Sequence, residues 1–121
     1  MSGKGKRRAA PHCSILSHLS ARNDCQEVKF IQVGASFFED ENVCSLKPQT
    51  KWVYLCMALV AGRDTEFSFS RGDGMKYGIP SRTLCTAVNE LLEKGFLIRV
   101  ESGKFTRTKN KFRFNYVWKK L

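Results

Sequence analysis

Residues 78–94, GIPSRTLCTAVNELLEK, constrain the fold more than any other stretch. Gly78, Ile79 and Pro80 read as a tight turn. Behind it Leu84, Val88, Leu91 and Leu92 recur at helical spacing and should face a core. Ser81 is placed to cap this helix, Lys94 suits its negative end, and Gly95 supplies a left-handed stop. The other face begins with Ser81, Arg82, Thr83 and Thr86. That pattern is the second half of a helix-turn-helix.

The stretch behind this helix is equally directive. Residues 96–101 (FLIRVE) and 111–118 (KFRFNYVW) alternate as strands, with a loop containing Gly103 between them, so a hairpin is expected. Residues 102–121 carry seven Lys or Arg and no acidic residue.

Upstream, a hydroxyl cap ahead of Pro48 marks the start of a helix running from Pro48 to Ala61 and stopping at Gly62. Trp52, Leu55, Cys56 and Leu59 form one stripe, while Val53, Tyr54, Met57 and Val60 line much of the rest. All-round apolarity means burial on several sides, or a partner surface. Residues 66–69 read as a very short strand. Residues 70–77 should be the first helix of the helix-turn-helix, although Gly72 and Gly74 each cost about 0.5–1 kcal/mol there. Packing of Met75 and Tyr77 must offset that cost. Residues 28–33 (VKFIQV) suggest a short strand, and Ser36, Phe37 and Phe38 a turn or short helix packing two phenylalanines.

The order is strand, helix, short strand, helix, turn, helix, hairpin. It predicts an α+β winged helix-turn-helix over residues 28–121: a three-helix core, a C-terminal β-hairpin wing and an additional N-terminal strand. Residues 1–27, with Lys4, Lys6, Arg7, Arg8 and several serines, read as a basic, flexible tail. It is either a disordered leader or an arm that touches DNA.

Formal net charge is +10, and its placement matters more than its size. Residues 1–27 carry five basic and two acidic residues, residues 28–70 four and five, and residues 71–121 twelve and four. Clustering around the presumed recognition helix points to a polyanion. The apolar stretch at residues 52–60 spans nine residues, against roughly 20 needed to cross a bilayer. The five cysteines are odd in number and no secretory signal precedes them, so reduced thiols in a cytoplasm are expected. His12, Cys13, His18 and Cys25 lack the paired short spacings of a zinc site. No metal, cofactor or catalytic constellation is expected, and Arg71-Gly72-Asp73 is read as a chance tripeptide.

With Leu84, Val88 and Leu91 inward, Arg82, Thr83, Thr86 and Asn89 face out. Arg82 suits guanine and Asn89 adenine, whereas Ser81 and Thr83 suit phosphates or thymine methyls. Alternatively, Ser81 does nothing but cap, and Arg82 pairs with Glu90. Glu90 and Glu93 would repel phosphate, limiting insertion to the first two turns. Lys104, Arg107, Lys109, Lys111 and Arg113 would hold the DNA backbone. Lys111 and Arg113 should project together, away from Phe112 and Phe114.

Three segments also carry a family likeness: Phe30-Ile31-Gln32-Val33 followed by Ser36-Phe37-Phe38, Leu46 through Leu59 with Lys51 and Tyr54, and Leu91-Leu92-Glu93-Lys94-Gly95-Phe96-Leu97-Ile98. Together residues 28–118 resemble the winged-helix N-terminal domain of plasmid replication initiators of Gram-positive bacteria and related phage and mobile-element proteins. Gly34, where that family more often has proline, and the glycine-rich RGDG stretch depart from its pattern. The resemblance implies origin or operator DNA as ligand and a winged-helix dimer.

The expected function is non-enzymatic binding of double-stranded DNA in the cytoplasm of a bacterium, at the nucleoid. Replication initiation and transcription regulation both remain open, as does a homodimer through the 52–60 helix or the N-terminal strand. The rival is a winged helix serving as a protein-interaction or structured-RNA-binding module, for example in ribosome assembly.

Overall fold

The computed structural model describes residues 12–101 and 110–119. The chain divides at Phe30/Ile31 into two compact units. In the first, β1 (Cys13–Ser14) pairs antiparallel with β2 (Gln26–Glu27), and a 3₁₀ turn, Ser17–Leu19, lies between them. Ile15 N–H donates to the Cys25 carbonyl at 2.8 Å, and Ser20 Oγ donates to Glu27 Oε2 at 2.6 Å. Regular pairing thus reaches into a segment expected to be a flexible tail. The strand expected over residues 28–33 is not formed: Val28 and Lys29 bend, and residues 30–34 adopt no regular structure. A strand needs a neighbour to satisfy its backbone. No described strand pairs with this segment.

The second unit begins with two short helices, α1 (Ala35–Glu39) and α2 (Glu41–Cys44). Asp40 caps α2, its Oδ1 accepting from the N–H groups of Asn42 and Val43. Of the two phenylalanines expected to pack, Phe37 stacks on Tyr54 with ring centroids 6.0 Å apart, but Phe38 is 63% exposed.

Pro48 opens α3 (Pro48–Ala61), where its missing N–H costs no hydrogen bond, and Gly62 ends it. These bounds agree with the sequence reading; the cap and the face do not. The N-cap is Lys47, and the Ser45 hydroxyl instead donates to the Asn42 carbonyl at 2.7 Å, closing the end of α2. Val53 and Met57 are fully buried, with Tyr54, Cys56 and Ala61, whereas Leu55 and Leu59 are half-buried and Trp52 is 54% exposed. Because α3 is apolar almost all round, hydropathy could not choose its orientation. Packing against the later helix Ser81–Glu93 did.

After the short strand β3 (Glu66–Ser68) comes α4 (Arg71–Lys76). Ser70 and Asp73 form a capping box: Ser70 Oγ accepts from Asp73 N–H at 3.2 Å, and Asp73 Oδ2 accepts from Ser70 N–H at 2.8 Å. Gly74 is buried, and a Cβ there would lie 3.2 Å from Leu84 Cδ2. This glycine lets α4 approach the helix that carries Leu84, so its propensity cost is exchanged for contact. Met75, expected to pack, is 68% exposed.

Gly78, at φ 78°, turns the chain toward α5 (Ser81–Glu93). Pro80 is the N-cap, and Ser81, expected as the capping residue, is the first helical residue with no cap hydrogen bond. Leu84, Ala87, Val88 and Leu91 are buried on one face. Full burial is worth about 1.5–3 kcal/mol for each leucine or valine. β4 (Leu97–Glu101) and β5 (Lys111–Phe114) follow, paired antiparallel, and the sheet order is β3-β5-β4. An irregularity between Arg99 and Glu101 shifts the register. Phe67, Leu97 and Phe112 face the core, and Phe114 stacks on Phe67 at 4.7 Å. Beyond β5 the chain returns to α2, where Asn42 Nδ2 donates to the Trp118 carbonyl at 2.7 Å. The result is an α+β unit. Among the described residues of the whole chain there are five α-helices and two small antiparallel sheets.

Candidate nucleic-acid interface

Burial of Leu84, Ala87, Val88 and Leu91 leaves the opposite side of α5 to solvent. Ser81, Arg82, Cys85, Thr86, Asn89 and Glu93 are exposed, and Thr83 is half-buried. Positions 82, 86, 89 and 93 fall on one stripe, because steps of three and four residues return to the same helical face. From Arg82 to Glu93 the stripe spans about 16 Å.

Arg82 has no ion-pair partner among the described residues. The Thr86 hydroxyl donates to the Arg82 carbonyl at 3.1 Å, which leaves its oxygen free to accept only. Neither Ser81 nor any other side chain caps α5. The N–H groups of residues 81–83, which have no intrahelical acceptor, therefore have no side-chain cap at the positive end of the helix either.

Glu90 does not belong to this surface. Its Oε1 accepts from Thr50 Oγ1 at 2.6 Å and from Lys47 N–H at 3.4 Å, and Lys94 Nζ lies 3.1 Å from its Oε2. It does not pair with Arg82; of the two acids expected to limit insertion, Glu93 alone is on the stripe. Burial pushes the Glu90 carboxyl up, but the hydrogen bonds from Thr50, Lys94 and Lys47 outweigh it and hold the pKa below the ordinary value.

The wing cations divide into two groups. Lys104, Arg107 and Lys109 lie outside the described residues. Lys111 and Arg113 share the strand face opposite Phe112, as the alternation predicts. Arg113, however, faces Glu66 across the strand pair, its Nε donating to Glu66 Oε2 at 3.0 Å. The guanidinium holds the Glu66 carboxyl below its usual value. The charge expected to meet phosphate is already matched.

Trp52 was placed in a core stripe by its apolarity, yet it is exposed, and its Nε1–H donates to the Tyr77 carbonyl at 3.2 Å. Lys76 Nζ sits 5.7 Å from the Tyr77 ring centroid. The sequence signal that could have found this surface is Gln49, a polar and exposed residue three positions before Trp52 and so on the same helical face.

All five cysteines are free thiols, and burial raises the pKa of Cys56. Among the described residues no group of three His, Cys, Asp or Glu could hold a metal ion. Nor is any described helix long and apolar enough to cross a membrane. No protein-family model, curated protein or solved structure matches the chain.

Proposed function

We propose that residues 31–119 are a winged helix-turn-helix that binds double-stranded DNA without catalysing a reaction. In this reading α4 and α5 are the helix-turn-helix, and β4 and β5 are the arms of the wing. The observation that carries it is the exposed stripe of α5, with Arg82 at its start, unpaired among the described residues, and Glu93 the acid at its far end. A helix of 13 residues whose first two turns present Ser81, Arg82 and Thr86, with Asn89 at the start of the third, suits a major groove. The clustering of basic residues after residue 71, within a chain of net charge +10, supports a polyanion as ligand. Sequence likeness to plasmid replication initiators favours replication initiation of a plasmid, phage or mobile element over transcription regulation.

The test compares duplex DNA, single strands and structured RNA at several salt concentrations, for wild type and Arg82→Ala. Duplex preference that the substitution removes supports groove reading. Equal weak binding to every polyanion, unchanged by the substitution, rejects it in favour of the interaction-module alternative.

A further inference from the structure

Trp52 is held in place while much of its ring faces solvent. Its backbone belongs to the helix that buries Val53, Tyr54 and Met57. Its Nε1–H is bonded to the Tyr77 carbonyl, so the indole's polar edge is satisfied and its orientation is set. Tyr77 closes α4 and opens the turn to α5, and Arg82 follows it by five positions. Five residues span at most about 17 Å. The carbonyl that anchors the indole therefore lies within that reach of the start of the proposed recognition helix, and the Lys76 ammonium sits 5.7 Å from the centroid of the Tyr77 ring.

We infer that Trp52 is a stacking plate for an unpaired nucleobase, so that the preferred ligand is duplex DNA adjoining an unpaired stretch. This rests on the reading of α5 as the duplex-binding element. Chemistry favours a base over an apolar protein surface. One indole offers far less than the roughly 800 Å² per partner that a stable protein interface needs, but it is enough for one base. Lys76, set against the ring of the residue whose carbonyl holds the indole, complements a phosphate backbone, as does the net charge of the chain. An exposed ring with a fixed edge also loses little side-chain entropy on stacking.

The experiment uses the full chain, with a blunt duplex and the same duplex carrying a short central bubble as probes. Emission comes from Trp52 and from Trp118, which is packed on Phe96, so Trp52→Phe gives the background. Wild type should bind the bubbled duplex about 10-fold more tightly than the blunt one, with quenched emission. Trp52→Ala should bind the two alike, and Trp52→Phe should keep most of the preference because a phenyl ring also stacks. Equal affinities in wild type, absence of quenching, or a preference that survives Trp52→Ala would each overturn the inference. So would self-association in sedimentation that Trp52→Ala abolishes, since the ring would then serve a second copy. Failure of the α5 reading is seen separately, as blunt-duplex binding that Arg82→Ala leaves unchanged.

Discussion

Glu90 accepts a hydrogen bond from Thr50 across 40 residues of sequence, at 2.6 Å, and so ties α5 to the first turn of α3. The same carboxylate accepts from Lys47 N–H, the N-cap position that no side chain of α3 caps. A capping box supplies these contacts from within one helix; here a neighbouring helix supplies them, at the end where the macrodipole favours negative charge. Thr50 is buried, with 1% of its surface exposed, so removal of Glu90 leaves its hydroxyl without this partner. Glu90→Ala should lower unfolding stability by about 2–3 kcal/mol. Denaturant titration measures this, and a double-mutant cycle with Thr50→Val isolates the pair.

The same group sets an acid limb. Its pKa is lowered in the folded state, so its contribution is present above the ordinary glutamate value of 4.5 and is lost as pH falls through the lower folded value. Stability of wild type should decline over that window, and Glu90→Gln should make the decline shallower. Unfolding followed between neutral pH and pH 3 would show no difference in slope if Glu90 played no part.

Tyr54 governs the alkaline side. Burial, assisted by the nearby Tyr116, pushes its hydroxyl up to about 12 from an ordinary 10. The raised value means that its contribution is intact below about pH 10 and is lost as pH climbs toward 12. Absorbance titration should show Tyr54 ionising late or only on unfolding, and Tyr54→Phe should delete that step.

Gly74 and Gly72 should respond oppositely to added bulk. A Cβ at Gly74 already lies 3.2 Å from Leu84 Cδ2 and 3.6 Å from the Ile79 carbonyl, so the branches of Gly74→Val would enter the α4–α5 contact. A loss of about 1–3 kcal/mol is expected. At Gly72 a Cβ meets only Ser70 Oγ at an ordinary 3.6 Å, and Gly72→Ala should gain about 0.5 kcal/mol. Thermal melts of the two variants should move in opposite directions.

Arg82 and Arg113 should differ in DNA binding although both are exposed arginines. Arg82→Ala should weaken duplex binding by about 1–3 kcal/mol and relax base preference. Arg113→Ala should do less, because its charge is matched by Glu66 at 3.0 Å. Glu66→Gln should release the guanidinium and steepen the salt dependence. Equal effects of the two arginine substitutions would show that the Glu66 pair does not hold in the complex.

Much of the helical framework was written locally. Pro48 and Gly62 bound α3, Gly95 ends α5, and apolar spacing assigns Leu84, Val88 and Leu91 to the core, which leaves Arg82, Thr86 and Asn89 outside. Proline's ring, glycine's left-handed freedom and helical period all act within a turn or two of chain, so each is legible from neighbouring residues. Alternation likewise placed Phe112 inward and Arg113 outward. Tertiary structure alone turned Trp52 out and Tyr54 in, because a helix apolar almost all round has no preferred face until neighbours bury one. It chose Phe37 over Phe38, left residues 28–33 without a strand partner, and gave Glu90 to Thr50 and Arg113 to Glu66. Those outcomes depend on which groups from distant segments arrive at bonding distance, and no local preference specifies that.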